Sequence, residues 1–336
     1  MKVLEIGNVR AEPGSKAFGT IAAGNHPAGG ALEMPLIVVN GVGDGPVLWL
    51  NGCIHGDEPQ GPLAIMMLVR ELDPAKLKGA VVAVPVMNVP AFEASERGNP
   101  LDMFSYDMNR VYPGSANGRF TERLAWAHKE ALAAHADMEI SIHSGGDHSF
   151  LDKTIFAAPG DAAMELAQAM GKGWSVILSS PHPKGSPMAE LHDQGKPAIS
   201  IELGGICHTM PDAFRADGRA MADAFWNVLR HYGMVEGAPQ YEEKWYTGSQ
   251  IAVLASTSGL WLAEEGFEFL KPAREGQVLA RIYNLYGEEL EQIKAPCDGM
   301  PFGLRTTPAT HTGDWAVFYA KITDEVNGLV HPKRVL

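Results

Sequence analysis

The chain alternates between runs that are apolar nearly throughout and segments in which apolar residues recur at helical spacing. The apolar runs predict strands covered on both faces, and they are "PVLWLNG", "GAVVAVPVMN", "MEISIHSGG" and "PAISIELGG". The amphipathic segments predict helices, and they are "GPLAIMMLVRELD", "TERLAWAHKEALAAHA", "DAAMELAQAMGKGW" and "DAFRADGRAMADAFWNVLRHYG". Because strands and helices alternate, we expect an α/β fold with a mainly parallel or mixed sheet flanked by helices.

The pattern changes after about residue 240. Long helical segments stop, and short β-like segments separated by glycine turns take their place: "SGLWLAEE", "GQVLARIYN" and "DWAVFYAKIT". This change predicts two domains, an α/β domain over residues 1–240 and a small β domain over 241–336.

The small β domain contains "EGQ" followed by "APCDG", and this pair of motifs resembles the biotinyl/lipoyl-like barrel-sandwich domain. Carrier members of that group hold a modified lysine on a hairpin tip several residues before the Ala-Pro pair. The corresponding segment here reads "YGEELEQIK", and Lys294 directly precedes Ala295. We therefore expect no acceptor lysine and no attached cofactor. A lid, a specificity wall and an oligomer contact all remain open as roles.

The composition limits the possible partners. Apolar residues make up 46% of the chain and charged residues 20%, which is ordinary for a globular protein. The net charge of −13 argues against nucleic-acid binding, which requires clustered Lys and Arg. Neither a long apolar run nor a secretory signal is found, so no membrane association is expected. Cys53, Cys207 and Cys297 are far apart and odd in number, which predicts free thiols in a reducing cytoplasm.

Polar side chains follow three of the predicted strands. His55 and Glu58 come after "VLWLNGCI", His143 follows "MEISI" and Glu202 follows "AISI". Because ligand sites form at the carboxyl ends of parallel strands, we expect these four residues to converge. Two histidines and a glutamate form a simple catalytic zinc site with an open position for water. Glu202 is then available as a general base and acid.

The His-x-x-Glu spacing alone is a weak signal, because it differs from the His-Glu-x-x-His motif of helical zinc sites and arises by chance. The alternative is a loop in which Asp57 or Glu58 caps the following helix. A long irregular segment over 90–118 adds weight to a functional interpretation, because such loops are often part of a site.

Four motifs in order along residues 51–205 decide between these interpretations: His-x-x-Glu, "DMNRVYPG", "HSGG" and "ELGG". Together they resemble the succinylglutamate desuccinylase/aspartoacylase family of zinc deacylases, near its branch of N-acetyl-diaminobutyrate deacetylases. This resemblance implies a zinc carboxypeptidase-like fold with one zinc ion per chain, held by His55, Glu58 and His143.

The resemblance also implies roles for other residues. Glu202 corresponds to the general base and acid, and Asn109 with Arg110 to the pair that binds the substrate's carboxylate. Arg97 in "RGNP" corresponds to the arginine that polarises the scissile carbonyl. A loop arginine that only holds the backbone is the alternative for Arg110. Asp107 is expected to support the site from behind the ligands.

His208 follows Glu202 closely in "ELGGICHTMPD" and is predicted to line the substrate pocket. The remaining histidines near the site are interpreted as structural or surface residues. Cys53, two residues before His55, is predicted to be a small buried residue and not a nucleophile.

These observations predict a cytoplasmic, zinc-dependent amidohydrolase that acts on an N-acylated amino acid or a related small amide. Neither nucleic acid nor membrane is expected as a partner, and a homo-oligomer remains open. A zinc carboxypeptidase acting on peptides is the main alternative. A non-catalytic small-molecule-binding relative and a carrier-domain protein are further alternatives, and the absent hairpin lysine argues against the last.

Overall fold

The computed structural model of the chain describes residues 2–179, 184–205 and 211–329. Its α-helices are α1 (Gln60–Glu71), α2 (Val89–Ala94), α3 (Phe120–His135), α4 (Asp161–Ala169), α5 (Pro187–Asp193) and α6 (Pro211–His231). Its strands are β1 (Leu4–Ile6), β2 (Val9–Ala11), β3 (Ser15–Asn25), β4 (Ala31–Asn40), β5 (Gly43–Asn51), β6 (Lys78–Val84), β7 (Met138–His143), β8 (Ser149–Ala157), β9 (Val176–Ser179), β10 (Ala198–Gly204), β11 (Lys244–Leu254), β12 (Gly259–Ala263), β13 (Val278–Tyr283), β14 (Glu289–Lys294), β15 (Met300–Arg305), β16 (Ala309–Thr310) and β17 (Trp315–Asn327).

The centre of the fold is a mixed sheet in which β6, β5, β7 and β10 run parallel, side by side. β4 and β3 continue one side in antiparallel orientation, and β8 joins β10 antiparallel on the other. The central strands are almost wholly buried because helices pack on the sheet, with α1 against α6 and α3 against α5. The α/β fold with a mixed sheet flanked by helices is therefore confirmed. None of the helices in the described ranges has the length and apolarity to cross a membrane.

Five strands close into a ring beside the central sheet. β9 pairs parallel with both β8 and β11, β17 pairs with β11 and β15, and β15 returns to pair with β8. One apolar cluster joins four of these strands: Leu151, Val176, Leu178, Met300, Phe302 and Ala320. Strand pairing thus runs across residue 240, and the division into 1–240 and 241–336 stays a prediction.

A small β region is present in the C-terminal part, as expected. β14, β13, β12 and β16 form a separate antiparallel sheet, which packs on β17 through a second apolar cluster. The tip of the β13–β14 hairpin covers residues 284–288 and reads "NLYGE". Lys294 is the last residue of β14, at the end of the hairpin opposite to the tip.

A carboxyl group is buried inside the central sheet at Glu139 of β7. Its Oε1 accepts a hydrogen bond from Nδ2 of Asn51 at 3.0 Å, while its Oε2 has no hydrogen-bond partner in the described part of the chain. Burial raises the pKa of Glu139 from 4.5 to about 8. At neutral pH the folded protein therefore retains a proton that the unfolded chain has already released.

Glu139→Gln is expected to make stability less sensitive to rising pH. In the wild type the free energy of unfolding falls between pH 4.5 and about 8, because the unfolded state binds fewer protons than the folded state. Within this range the free energy of unfolding of the wild type falls by about 1.4 kcal/mol per pH unit. The variant's amide has no such proton to release, so its free energy of unfolding does not fall for this reason. Urea unfolding at mildly acidic and mildly alkaline pH should show that the free energy of unfolding of the variant increases relative to that of the wild type as pH rises. A difference in free energy that does not change with pH would contradict the raised pKa.

Candidate metal centre and active site

His55 and Glu58 lie on a tight turn that follows β5, and His143 is the last residue of β7. The turn passes close to α2: a Cβ on Gly56 would lie 2.0 Å from the carbonyl carbon of Ala91. Only glycine permits so close an approach of two backbones. Since β5 and β7 are parallel neighbours, the turn and His143 meet at the same edge of the sheet.

The three side chains converge on a single point. His55 Nδ1 is 2.7 Å from Glu58 Oε1, and His143 Nδ1 is 3.1 Å from Glu58 Oε2. One potential ligand atom from each residue lies within 4.8 Å of the others. The residues are only 3%, 3% and 6% exposed, so the cluster is shielded from bulk water. No second cluster of three such side chains occurs in the ranges that the structure describes.

Glu202 lies beside His143 because β10 and β7 are parallel neighbours and these two residues are partners in the register. Two positions earlier, Ser200 and Ser141 are partners in the same way. The hydroxyl of Ser141 is 3.4 Å from Nε2 of His143. Neither serine was assigned a role from the sequence. Their spacing from His143 and Glu202 was a usable signal, because residues two apart on a strand face the same side.

The long loop before α3 brings Arg97 and Asp107 to the same cluster. Asp107 Oδ1 is 3.2 Å from His55 Nε2, the ring nitrogen that faces away from Glu58. Arg97 Nη2 donates to Asp107 Oδ2 at 3.2 Å, and Arg97 Nη1 lies 3.8 Å from Glu58 Oε1. The structure thus brings both residues next to the candidate ligands.

Burial and charge act against each other at these groups. Burial alone would raise the pKa of Glu58, but His55 and His143 outweigh it, and the pKa lies well below its usual value. The pKa of Asp107 is lowered in the same way against burial, by His55 and Arg97. Burial lowers the pKa of His143 despite Glu58, whereas Glu58 and Asp107 overcome burial at His55 and raise its pKa. The resulting pattern, an ionised carboxylate between two imidazoles, is typical of a metal-binding group.

Glu202 has the opposite electrostatics. Burial, followed by repulsion from Glu58, raises its pKa well above the usual value, although Arg97 acts in the other direction. Its Oε2 is buried and has no hydrogen-bond partner among the described residues. Glu202 therefore differs from Glu58 in the direction of its pKa shift and in its contacts, which fits a group that exchanges protons.

Asn109 and Arg110 belong to a short 3-10 helix over Met108–Arg110, which Asp107 caps by accepting a hydrogen bond from the backbone N–H of Asn109. The Asn109 Oδ1 atom is buried without a hydrogen-bond partner in the described ranges. Arg110 Nη1 donates to the carbonyl oxygen of Asn109, so this arginine does support the local backbone. Both side chains also line the pocket, which leaves a role toward a ligand open.

These groups share an open pocket of about 710 Å³. One end holds the candidate ligands with Arg97 and Glu202. The other end is lined by residues of the ring strands and the C-terminal part, which sequence analysis did not identify: Phe156, Gln250, Phe302, Trp315 and Phe318. In the sequence the four aromatic residues are ordinary apolar strand residues and Gln250 is an ordinary polar one, and the closure of the ring brings them to the site.

The capping alternative for the opening motif is wrong. The N-terminus of α1 has no side-chain cap, Glu58 contacts the two histidines, and Asp57 Oδ2 accepts a hydrogen bond from the N–H of Asp147.

Cys53 is fully buried and burial raises the pKa of its thiol well above the usual value, which agrees with an unreactive residue. His208 and Cys207 lie outside the described residues.

The comparisons with known proteins agree with this geometry. The profile of the succinylglutamate desuccinylase/aspartoacylase catalytic domain matches residues 44–231. The N-alpha-acetyl-L-2,4-diaminobutyric acid deacetylase of Halomonas elongata is 30% identical over 319 residues, which cover 90% of each chain.

Two solved structures are similar over nearly the whole length. A succinylglutamate desuccinylase from Silicibacter sp. TM1040 has a TM-score of 0.78 at 25% identity, with 92% of this chain and 95% of that chain covered. A product-bound ectoine utilization protein from Ruegeria pomeroyi has the same TM-score at 24% identity, over 91% of this chain and 94% of that one. The domain match, the curated relative and the shared fold show that the chain belongs to the succinylglutamate desuccinylase/aspartoacylase family.

Proposed function

We propose that this chain catalyses the zinc-dependent hydrolysis of the amide bond of an N-acylated amino acid or a related small amide. The observation that carries the proposal is the buried group His55, Glu58 and His143, with the carboxyl of Glu202 beside it in one pocket. Membership of the family supports the reaction class, and the similarity to a deacetylase of an N-acetylated amino acid supports the type of substrate.

The donor set fits one zinc ion per chain. Two imidazole nitrogens and a carboxylate oxygen are the ligands of many catalytic zinc sites, which keep one position open. The Nε2 atom of His55 lies near Asp107, as the second nitrogen of a metal-bound imidazole usually lies near a carboxylate. When bound, zinc supplies a Lewis acid that activates water as a nucleophile. This donor set also accepts other divalent ions.

Glu202 is the group to which we assign the proton transfers. It stands beside His143 but is separate from the three-residue cluster, so its carboxyl is free to act on water and substrate. In this role it takes a proton from the attacking water and delivers it to the nitrogen of the leaving amine. Its Oε2 atom accepts no hydrogen bond from the described residues, so it can accept one from a water or a substrate, and this supports the assignment.

Arg97 and the Asn109–Arg110 pair would position the substrate. The guanidinium of Arg97 lies within 4 Å of His55 and Glu58, so it is placed to stabilise negative charge that develops on the scissile carbonyl oxygen. Asn109 and Arg110 are proposed to bind the substrate's carboxylate, for which a guanidinium offers two parallel hydrogen bonds. The assignment of His208 to the pocket stays a prediction.

A carboxypeptidase acting on peptides is the second candidate, because it would use the same donor set. Residues from the C-terminal part form one end of the pocket, among them Gln250 and Trp315. Such a wall limits the length of a substrate and favours small amides. We therefore propose that this part of the chain serves as a specificity wall.

Release of free amine distinguishes these candidates. We expect the purified protein to hydrolyse N-acetyl amino acids and to leave dipeptides and longer peptides with the same C-terminal residue intact. The measurement is the rate of amine formation at equal substrate concentrations. Faster cleavage of the peptides would favour the carboxypeptidase, and no amine from either set would refute the proposed reaction.

A further inference from the structure

The end of the pocket that lies away from the candidate ligands is built from stacked aromatic rings. Trp315 stacks on Phe318 with 3.9 Å between ring centroids, Phe318 stacks on Phe302 at 5.9 Å, and Phe302 meets Phe156 at 6.0 Å. All four line the pocket, and we call them the aromatic wall. Phe302 is buried and fixes the wall, while the other three are partly exposed and present their surfaces to the pocket.

The aromatic wall lies on the same side of the site as Glu202. Ser200 and Glu202 are two residues apart on β10 and therefore face the same side of the strand. Ser200 is the register partner of Phe156 on β8, so the wall begins one strand away from β10. Across the sheet the order is His143 on β7, Glu202 on β10 and Phe156 on β8.

This order identifies which half of a substrate meets the aromatic wall. In the proposed reaction Glu202 delivers a proton to the leaving nitrogen, so the amine half lies on the Glu202 side of the scissile bond. On this side of the scissile bond, Ser200 lies between Glu202 and Phe156, the first residue of the aromatic wall. The side chain of the amino acid is therefore the part of the substrate that extends toward the wall.

The residues that line the pocket bear on which side chain it would favour. Among the residues that the structure describes, the carboxyl groups that line the pocket are Asp57, Glu58 and Glu202, which belong to the two motifs around the candidate ligands. The pocket is also lined by Leu151 and Met188, by Gln250 as an uncharged polar residue, and by the cations Arg97, Arg110 and Lys184. An ammonium group beside the aromatic wall would lose its hydration without gaining a carboxylate partner from the described lining residues. An apolar group would gain by leaving water.

We infer that the aromatic wall selects N-acylated amino acids with an apolar side chain, such as leucine, methionine or phenylalanine. This inference rests on the proposed function, and it separates the chain from its relative that is named for N-alpha-acetyl-L-2,4-diaminobutyric acid, whose side chain ends in an amine. Trp315, Phe318 and Phe302 are then specificity-determining residues contributed by the C-terminal part of the chain.

A panel of substrates tests the inference, with kcat/KM for amine release as the measurement. The panel contains N-acetylglycine, N-acetyl-L-leucine, N-acetyl-L-phenylalanine, N-acetyl-L-aspartate, Nα-acetyl-L-2,4-diaminobutyrate and N-hexanoylglycine. We expect the leucine and phenylalanine substrates to exceed N-acetylglycine by at least about 10-fold, as a filled apolar pocket gives. A preference for the aspartate or diaminobutyrate substrate would overturn the inference and leave the proposed function intact.

Two further outcomes are equally decisive. A preference for N-hexanoylglycine over N-acetyl-L-leucine would place the apolar group on the acyl half and overturn the assignment to the amine half. If none of the six substrates releases amine, the proposed function fails and the inference fails with it.

Variants of Phe318 test the aromatic wall itself. Phe318→Ala should lower the ratio of kcat/KM for N-acetyl-L-leucine over N-acetylglycine by about 10-fold. Phe318→Glu should raise the ratio for the diaminobutyrate substrate over the leucine substrate, a gain that misfolding cannot imitate. Tyr283→Ala is the matched control, because this partly buried aromatic residue lies in the separate four-stranded sheet and does not line the pocket. Unchanged ratios in both Phe318 variants would overturn the inference.

Discussion

Glu202→Gln is expected to lower kcat by about 1,000-fold while the protein keeps its bound metal. The amide has nearly the shape of the carboxyl group, but it cannot accept the proton of the attacking water or donate one to the leaving amine. Because Glu202 is separate from the cluster of His55, Glu58 and His143, its replacement leaves the donor set unchanged. Steady-state kinetics and metal content of the same preparation provide the measurement.

The control for this variant is Glu130→Gln on α3, where the carboxylate is about half exposed and pairs only with its neighbour Lys129 among the ion pairs of the described residues. Its kcat should match the wild type. If Glu202→Gln kept the wild-type kcat, the general base would have to be another group. If it lost its metal as well, Glu202 would belong to the ligand set.

His143→Ala is expected to abolish stable metal binding and, with it, activity. The loss of a group behind the ligands typically lowers metal affinity 10- to 100-fold, so the loss of a ligand should exceed about 100-fold. His143 Nδ1 faces Glu58 at 3.1 Å, and the variant would leave that carboxylate with one imidazole instead of two. Metal titration monitored by calorimetry measures the change.

The matched control is His148→Ala, because His148 lines the same pocket but lies outside the three-residue cluster. This variant should retain full metal stoichiometry. Unchanged zinc content in His143→Ala would remove this residue from the ligand set, and a loss of zinc in His148→Ala would require a different donor set.

The strands that carry the site could be predicted because each is rich in apolar residues and is followed by a polar residue at its end. β5, β7 and β10 are buried along most of their length, and that burial requires the apolar runs visible in the sequence. Since parallel strands end at one edge, the convergence of His143 and Glu202 followed from the pattern alone. The helices α1, α3 and α6 were predictable for the corresponding reason, an apolar stripe at helical spacing.

The ring of five strands could not be predicted in the same way. β8 reads "SFLDKTIFA", in which Asp152 and Lys153 interrupt the apolar residues, so it has no clear strand pattern. β9 has only four residues. The pairing of β8 with β15 joins segments about 150 residues apart, and no local pattern records such a contact. The aromatic wall depends on this closure, so its residues looked like ordinary core positions.

The loop residues of the site could not be placed from a hydrophobic pattern either. Arg97 and Asp107 lie in a segment without periodicity, and their position followed only from the resemblance to the family. The structure supplies the physical reason: Asp107 caps the 3-10 helix and contacts both His55 and Arg97, so one carboxylate organises the loop and the site together.

The central claim is that His55, Glu58 and His143 hold one catalytic zinc ion. The most direct test is the metal content of the purified wild-type chain, measured by elemental analysis before and after treatment with a chelator, with amine release recorded on the same samples. We predict one zinc per chain, loss of both zinc and activity on chelation, and recovery of both when zinc is restored. A chain that hydrolyses N-acetyl amino acids at full rate without any bound metal would contradict the account.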